Sequence, residues 1–261
     1  MKKALLAVSF GTSVPRARAE IEAVEQTLIE CAPDRDFFRA YTSPTIRRIL
    51  AGRGEEVLDL PGALEQLAAQ GYEDVAVPIT HLLYGIEYDK MQAQIAAFSG
   101  RFAKLRFGRP LVADSESLQA LAGCLLKRFA VPDEGLVLFG HGTTHFANMV
   151  YPALQTALRL AGGRYAYVGT VEGWPSLEEV RSQLLTDGCR KVLLVPFLLV
   201  AGDHARNDMA GDDPDSWKSQ LEAAGLTVRC HMDGLAALEE VRALYAARLR
   251  ELLQPEEEHG L

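Results

Sequence analysis

The chain has 261 residues, 48% hydrophobic and 24% charged, with a formal net charge of −8. That length and apolar content support one large domain or two modest ones with real cores, and the acidic balance argues against a nucleic-acid partner while leaving room for a local basic patch on an anionic substrate. Cys31, Cys124, Cys189 and Cys230 are far apart and form no C-x-x-C pair, which fits a reducing compartment and argues against a disulfide framework or a zinc ribbon.

Met1 to Phe10 imitates a secretory leader, with Ala17-Arg-Ala19 as its cleavage site. Gly11 stops the apolar run early, however, and Pro15, Arg16 and Arg18 stand where small neutral residues are required. Lys3 to Phe10 is therefore read as a buried strand that leaves through Gly11-Thr-Ser13. No run approaches the roughly 18 apolar residues of a membrane span, so the expectation is a cytoplasmic protein without a membrane partner. Val14 to Glu30 places Ile21, Val24 and Leu28 at helical spacing. Phe37 to Tyr41 reads as a short second strand, and Pro44 opens a helix where its missing N–H costs nothing. A helix from Pro61 to Gln70 ends at Gly71, a left-handed cap. A strand at Val75 to Ile79 follows, then an exit through His81 to Glu87 and a helix from about Tyr88. Leu105 to Val112 reads as a fourth strand and Ser115 to Phe129 as a connecting helix.

The order then restarts. Leu136 to Phe139 reads as a strand, Phe146 to Leu160 as a helix and Tyr165 to Thr170 as a strand. Ser176 and Glu179 have the spacing of a capping box, opening a helix to Thr186. Val192 to Phe197 is a strand, 202–206 a loop, Asp215 to Ala224 a helix, Leu226 to Cys230 a strand and Leu235 to Leu253 one long final helix. Pro255 to Leu261 is a polar tail. Such alternation predicts parallel α/β layers.

The restart has residue-level support. Gln66-Leu-x-x-x-Gly71 recurs 117 positions later as Gln183-Leu-x-x-x-Gly188, and the same offset relates Val75 to Val192, Gly85 to Gly202 and Glu87 to His204. Gly11-Thr12 matches Gly142-Thr143, 131 positions later. The chain is therefore divided into two similar α/β halves, 1–127 and 128–261, each a parallel sheet flanked by helices, facing each other across a central cleft.

The stretch most suited to chemistry is Val137-Leu-Phe-Gly-His-Gly-Thr-Thr-His145. A buried strand runs into a tight glycine turn, so His141 should face the crevice beyond the strand's carboxyl end, where open α/β sheets hold their ligands. The repeat puts Glu87 and His204 at equivalent exits, and Glu172 lies at a fourth. Two imidazoles with one or two carboxylates suit a divalent first-row metal such as Co²⁺, Fe²⁺, Ni²⁺ or Zn²⁺, in a thiolate-free site the ion can leave. Plainer roles stand beside these. His141 could be a hydrogen-bonded loop residue, and Glu87 and Glu172 could favour helix N-termini through the macrodipole. His145 should begin a helix and support the site from behind, and His81 should be a satisfied core imidazole. His231 and His259 are expected to have no function. Arg206 and Lys90 trail the cleft exits, as solvated surface or as carboxylate-recognising groups. Gly140-His-Gly142 is no G-x-G-x-x-G and there is no P-loop, so nothing points to a nucleotide.

Met1 to Ser13, Pro33-Asp-Arg-Asp36, Phe38 to Ser43, Gly85-Ile-Glu-Tyr88, Gly140-His-Gly142 and Leu199 to Ala210 together resemble the anaerobic cobalt chelatases of the CbiK type, sirohydrochlorin cobaltochelatases of cobalamin biosynthesis related to ferrochelatase. The resemblance runs nearly end to end. It implies a chelatase-like fold of two similar domains around a cleft, with sirohydrochlorin and a divalent metal as substrates and neither ATP nor an organic cofactor. By motif it implies metal ligands at His141, Glu87 and His204, with Glu172 the alternative carboxylate used by some members. Gly85-Ile-Glu departs from the Gly-Asp-Glu of some relatives, and the leader of periplasmic relatives is missing. Inserting Co²⁺ removes two pyrrole protons, which a neutral imidazole can accept while a carboxylate offsets charge. The carboxylate-rich macrocycle makes Arg206, Lys90 and Arg16 candidate rim contacts. Three alternatives stay open: iron insertion for sirohaem on the same macrocycle, a zinc-type metallohydrolase built on the same ligands, and a non-catalytic carrier of metal or tetrapyrrole. Fe²⁺ or Ni²⁺ would suit the donors as well as Co²⁺, and the oligomeric state, a homo-oligomer included, is left open.

Overall fold

The computed structural model describes residues 1–254; the polar tail, with His259, lies outside them. In the first half, β1 (Lys3–Ser9), α1 (Pro15–Cys31), β2 (Asp36–Tyr41), α2 (Pro44–Ala51), α3 (Leu60–Ala69), β3 (Asp74–Val77), α4 (Ile86–Ala96), β4 (Lys104–Phe107) and α5 (Ser115–Phe129) follow in order. The second half holds β5 (Gly135–Gly140), α6 (Val150–Leu160), β6 (Ala166–Thr170), α7 (Leu177–Thr186), β7 (Lys191–Pro196), α8 (Trp217–Ala223), β8 (Thr227–Cys230) and α9 (Glu239–Leu253). The strands form two all-parallel sheets of identical topology, β2-β1-β3-β4 and β6-β5-β7-β8. The pairs found by the repeat occupy matching places: β1 with β5, and β3 with β7.

Both faces of each central strand are buried, as expected where helices cover a parallel sheet on two sides. Alternate residues consequently enter different cores. Ala4, Leu6 and Val8 pack with α3 and Met91 of α4. Val137 and Phe139 pack with α7 and α8. The other faces share one central core: Leu5 and Ala7 of β1 join Leu136 and Leu138 of β5, with α1, α5, α6 and α9 between them. The terminal helix α9 packs against α1 of the opposite half, and α5 packs against α6, so helices cross between the halves. Tyr245 of α9 donates to the Thr80 carbonyl at 2.6 Å in that core, and burial keeps its phenol far above the usual range.

Several expected boundaries move, each for a local reason. The fourth strand ends at Phe107, not Val112, because the chain leaves the sheet at Gly108-Arg-Pro110. Leu111 and Val112 then donate to the carbonyls of His81 and Leu82, at 3.0 and 2.9 Å. The long final helix is broken at Leu238, whose backbone is extended between a 3₁₀ turn (Leu235–Ala237) and α9. Likewise Phe146–Met149 is a 3₁₀ turn preceding α6. The expected loop at 202–206 is helical from Asp203, with a π-helical turn at Ala205–Met209. Among the described residues no helix is long and apolar enough to cross a membrane.

Candidate metal centre

The site starts from β5, whose run of buried residues ends at Gly140. The next turn requires glycine. Gly142 has φ +88°, and a Cβ there would stand 2.6 Å from the Gly173 nitrogen. Tyr151 of α6 fixes the turn from beneath, its hydroxyl accepting the Gly142 N–H at 3.1 Å. The loop after β6 closes beside it, with the Glu172 N–H donating to the His141 carbonyl at 2.8 Å. His141 is thereby held at the carboxyl end of the sheet.

His204 comes from the neighbouring strand, β7, through the 197–204 connection. A buried carboxylate holds this segment in place: Glu20 of α1 accepts the N–H groups of Ala201 and Gly234 at 2.9 and 3.0 Å. Burial pushes the Glu20 carboxyl above its ordinary pKa, although the two N–H groups pull the other way. The rings of His141 and His204 meet edge to face, with centroids 4.6 Å apart and planes at 88°.

Hydrogen bonding decides which nitrogens these rings can offer. His141 Nδ1 lies 3.0 Å from the Gly142 carbonyl, which can only accept, so Nδ1 carries the proton. His204 Nδ1 lies 2.6 Å from Asp208 Oδ2, one turn along the π-helical segment, and is assigned the same way. Each neutral ring is then left with its lone pair on Nε2, and a carbonyl or carboxylate behind a histidine is the usual way a metal-binding imidazole is oriented. The side chains are 42% and 44% exposed, open enough for an ion to enter and leave. With a loop expected at 202–206, the sequence reading gives Asp208 no role; His204-x-x-x-Asp208 is nevertheless a visible i, i+4 pair.

The carboxylates are arranged differently. Glu172 Oε2 approaches His141 on the Nδ1 side, at 3.8 Å, away from Nε2. Glu87, in the first turn of α4, pairs with Lys90 at 2.9 Å. Among the described residues no three His, Cys, Asp or Glu side chains gather closely enough to enclose an ion, so of the four expected ligands the structure pairs the two imidazoles without closing a set around them. Of the basic residues, Arg16 binds Asp233 at 2.7 Å, Lys90 is engaged by Glu87, and Arg206 is exposed and makes no ion pair among the described residues.

The remaining histidines separate clearly. His81 is not the satisfied core imidazole expected from sequence: both ring nitrogens are shielded from water and have no hydrogen-bond partner. Burial pushes its pKa down to about 4, against the opposing pull of Glu87, so it is neutral at pH 7. The residues that follow it, Leu82 and Leu83, pack on the central core. His231 packs edge-on against Phe129. His145 caps the 3₁₀ turn, its Nδ1 accepting the Ala147 N–H at 3.0 Å, and its Nε2 lies 3.3 Å from Asp89 of the first half. A cavity of about 390 Å³ lies elsewhere, with Arg18, Phe38, Arg39, Glu55, Glu56 and Gln66 among its walls. Its arginines are already paired with Glu55 and Glu25, so it offers no free positive charge to an anionic ligand.

Residues 3–254 match the family model described as "Cobalt chelatase (CbiK)". The chain is 40% identical over 260 residues to the sirohydrochlorin cobaltochelatase of Salmonella typhimurium, covering 97% of each protein. It is 34% identical over 234 residues to the sirohydrochlorin cobaltochelatase CbiKC of Nitratidesulfovibrio vulgaris, covering 88% of this chain and 82% of the relative. SirB from Bacillus subtilis, solved with Fe³⁺, shares the fold with a TM-score of 0.65 at 19% identity, over 97% of this chain and 96% of SirB. CbiX of denitrifying bacteria does so at 0.58 and 15%, over 96% and 100%. With a family match that spans both sheets and takes in both imidazoles, the chain belongs to the CbiK family of cobalt chelatases.

Proposed function

We propose that this chain inserts Co²⁺ into sirohydrochlorin in cobalamin biosynthesis, as a cytoplasmic enzyme without ATP or an organic cofactor. The observation that carries the reading is the edge-to-face pair of His141 and His204, each tied at Nδ1 and open at Nε2, in a chain 40% identical to a sirohydrochlorin cobaltochelatase. Two neutral nitrogen donors bind a first-row divalent ion without the retention a thiolate would impose. Exchange requires that looseness, because the ion must pass from protein nitrogens to pyrrole nitrogens.

Metallation replaces two pyrrole N–H protons by one dication. The imidazole released as the ion transfers can take up a proton at Nε2, becoming an imidazolium that Asp208 stabilises through Nδ1 in the case of His204. Glu87 and Glu172 offset positive charge while metal and protons share the site, Glu87 as the carboxylate ligand and Glu172 as the alternative. Arg206 remains the candidate rim contact for substrate carboxylates, with Lys90 and Arg16 available on exchanging their present partners. Imidazole donors also accept Fe²⁺ and Ni²⁺, which supports iron insertion into the same macrocycle as the second reading.

The test follows sirohydrochlorin absorbance under anaerobic conditions with Co²⁺, then with Co²⁺ and Fe²⁺ in competition at limiting metal. Wild-type protein is expected to form the cobalt product preferentially. Wild-type rates from both His141→Ala and His204→Ala would overturn the assignment, and a predominantly iron product would move it to the second reading.

A further inference from the structure

We propose that His145 and Asp89 form a clasp across the cleft that places Glu87 opposite the imidazole pair, which makes both of them positioning residues; the inference rests on the chelatase reading above. His145 belongs to the same exit loop as His141, and that loop is braced at several points. The His145 N–H donates to Thr143 Oγ1 at 3.1 Å, the Thr143 N–H to Asn148 Oδ1 at 3.1 Å, and Asn148 Nδ2 to the Trp174 carbonyl at 2.6 Å. Because Nδ1 of His145 accepts the Ala147 N–H, the ring's proton sits on Nε2. Nε2 lies 3.3 Å from Asp89 Oδ2, on the opposite half of the molecule.

Asp89 is in the first turn of α4, two residues beyond Glu87. Its other anchors lie within the first half and are apolar: Tyr88 stacks on Phe107 and meets Tyr84 edge-on. Gly85 precedes it and supplies no side-chain cap, whereas α2, α3, α5, α7 and α8 all begin with a capping side chain. The other polar ties between the halves run through α1, α9 and the segments beside them, such as Glu20 with Ala201 and Gly234 and Tyr245 with Thr80. None of the described ties engages α4 except His145 with Asp89. The exposed contact therefore ties the first turn of α4 to the second half, and it does so from the loop that carries His141. A carboxylate from one half and imidazoles from the other are kept in register by a link adjacent to both.

Co²⁺ binding alone, read by competition with a metallochromic dye, tests this without sirohydrochlorin. His145→Ala and Asp89→Ala are each expected to weaken Co²⁺ binding on the order of tenfold, the size typical of losing a group that orients a ligand. The double variant should be no weaker than either single one, and His145→Gln, which keeps a side-chain N–H, should recover part of the loss. In a Glu87→Gln background, His145→Ala should have no further effect, since its action runs through Glu87. Wild-type affinity in the single variants, or a full additional loss in the Glu87→Gln background, overturns the clasp. If wild-type protein binds Co²⁺ with this coupling but never metallates sirohydrochlorin, the chelatase reading falls and the clasp stands. If it metallates normally and the coupling is absent, the clasp falls alone.

Discussion

The two halves share one framework and divide the chemistry unequally. Both have a central strand that exits through a glycine in the left-handed region, Gly11 at φ +92° and Gly142 at φ +88°, and both flank it with the same neighbours in the same order. At the first of these exits stands Phe10, 53% exposed, where the second half has His141; at the other matched exit Glu87 stands opposite His204. Both imidazoles therefore come from adjacent strands of one sheet and meet without any contribution from the other half. Glu87 belongs to the other half, in the first turn of α4, so any part it takes at the imidazole pair depends on how the halves are joined. A duplicated frame fixes where side chains emerge, and single residues at the exits decide what they can do there.

The largest expected effect comes from making the two exits alike. His141→Phe gives the second half the residue found in the first, and we expect Co²⁺ insertion to fall by at least about 100-fold, in keeping with loss of a direct ligand; Phe10→Leu should leave Co²⁺ affinity as it was. Equal losses from the two substitutions would mean that the halves are not chemically distinct. Next is Asp208→Asn, which leaves His204 in place but removes the carboxylate that fixes its tautomer. A drop of about tenfold in insertion rate, with little change in melting temperature, is expected from the ordinary cost of losing such a partner. Gly142→Ala should destabilise by about 1–3 kcal/mol for the left-handed backbone alone, measurable by urea unfolding. Gly11→Ala meets the same strain, with a Cβ 2.6 Å from the Tyr41 ring, whereas Gly142→Ala drives into the 172–173 backbone. Only the second should therefore displace the His141 turn and lower activity as well.

The smallest effect concerns how the halves are tied. Asp114 caps α5 and also contacts Arg248 of α9. Hydrogen bonds from the Ser117 N–H and hydroxyl, with help from Arg248 against the cost of burial, hold its carboxyl down to about 2. A depressed carboxylate stabilises the fold above its unfolded pKa near 3.8 and loses that contribution as pH falls through about 2. Asp114→Asn should therefore melt lower than wild type at pH 7, with the gap closing between pH 4 and pH 2. The side chain is partly exposed, so less than about 1 kcal/mol is expected. A gap that widens on acidification would reverse the sign of this account.

Much of the frame was legible because it is local. The buried runs at Lys3 to Ser9 and Gly135 to Gly140 are continuous apolar words ending in glycine, and Ser176 with Glu179 forms the capping box that their spacing announced. The repeat alone predicts the correspondence of β3 and β7. Where local signals compete, boundaries slipped: Leu111 and Val112 look like strand but pair outside the sheet, and Leu238 looks like helix but is the break before α9. His81 followed a strand as expected, yet the burial that isolates its nitrogens is a property of the assembled core. Contacts between residues far apart in the chain were the least legible. Glu20 reaches 181 positions to Ala201, and Asp89 meets His145 across the cleft; neither pairing leaves a trace in spacing or composition. Asp208 does leave one, the i, i+4 spacing from His204, which becomes meaningful only because the chain is helical from Asp203 to Met209.

The central claim is that His141 and His204 present Nε2 to one exchangeable ion. X-ray absorption of the Co²⁺-loaded protein, taken for wild type and for each histidine-to-alanine variant, tests it most directly. The account predicts two imidazole ligands on cobalt in the wild type, one in either variant, and removal of the metal by dialysis against a chelator. A cobalt spectrum unchanged by His141→Ala or by His204→Ala would contradict it.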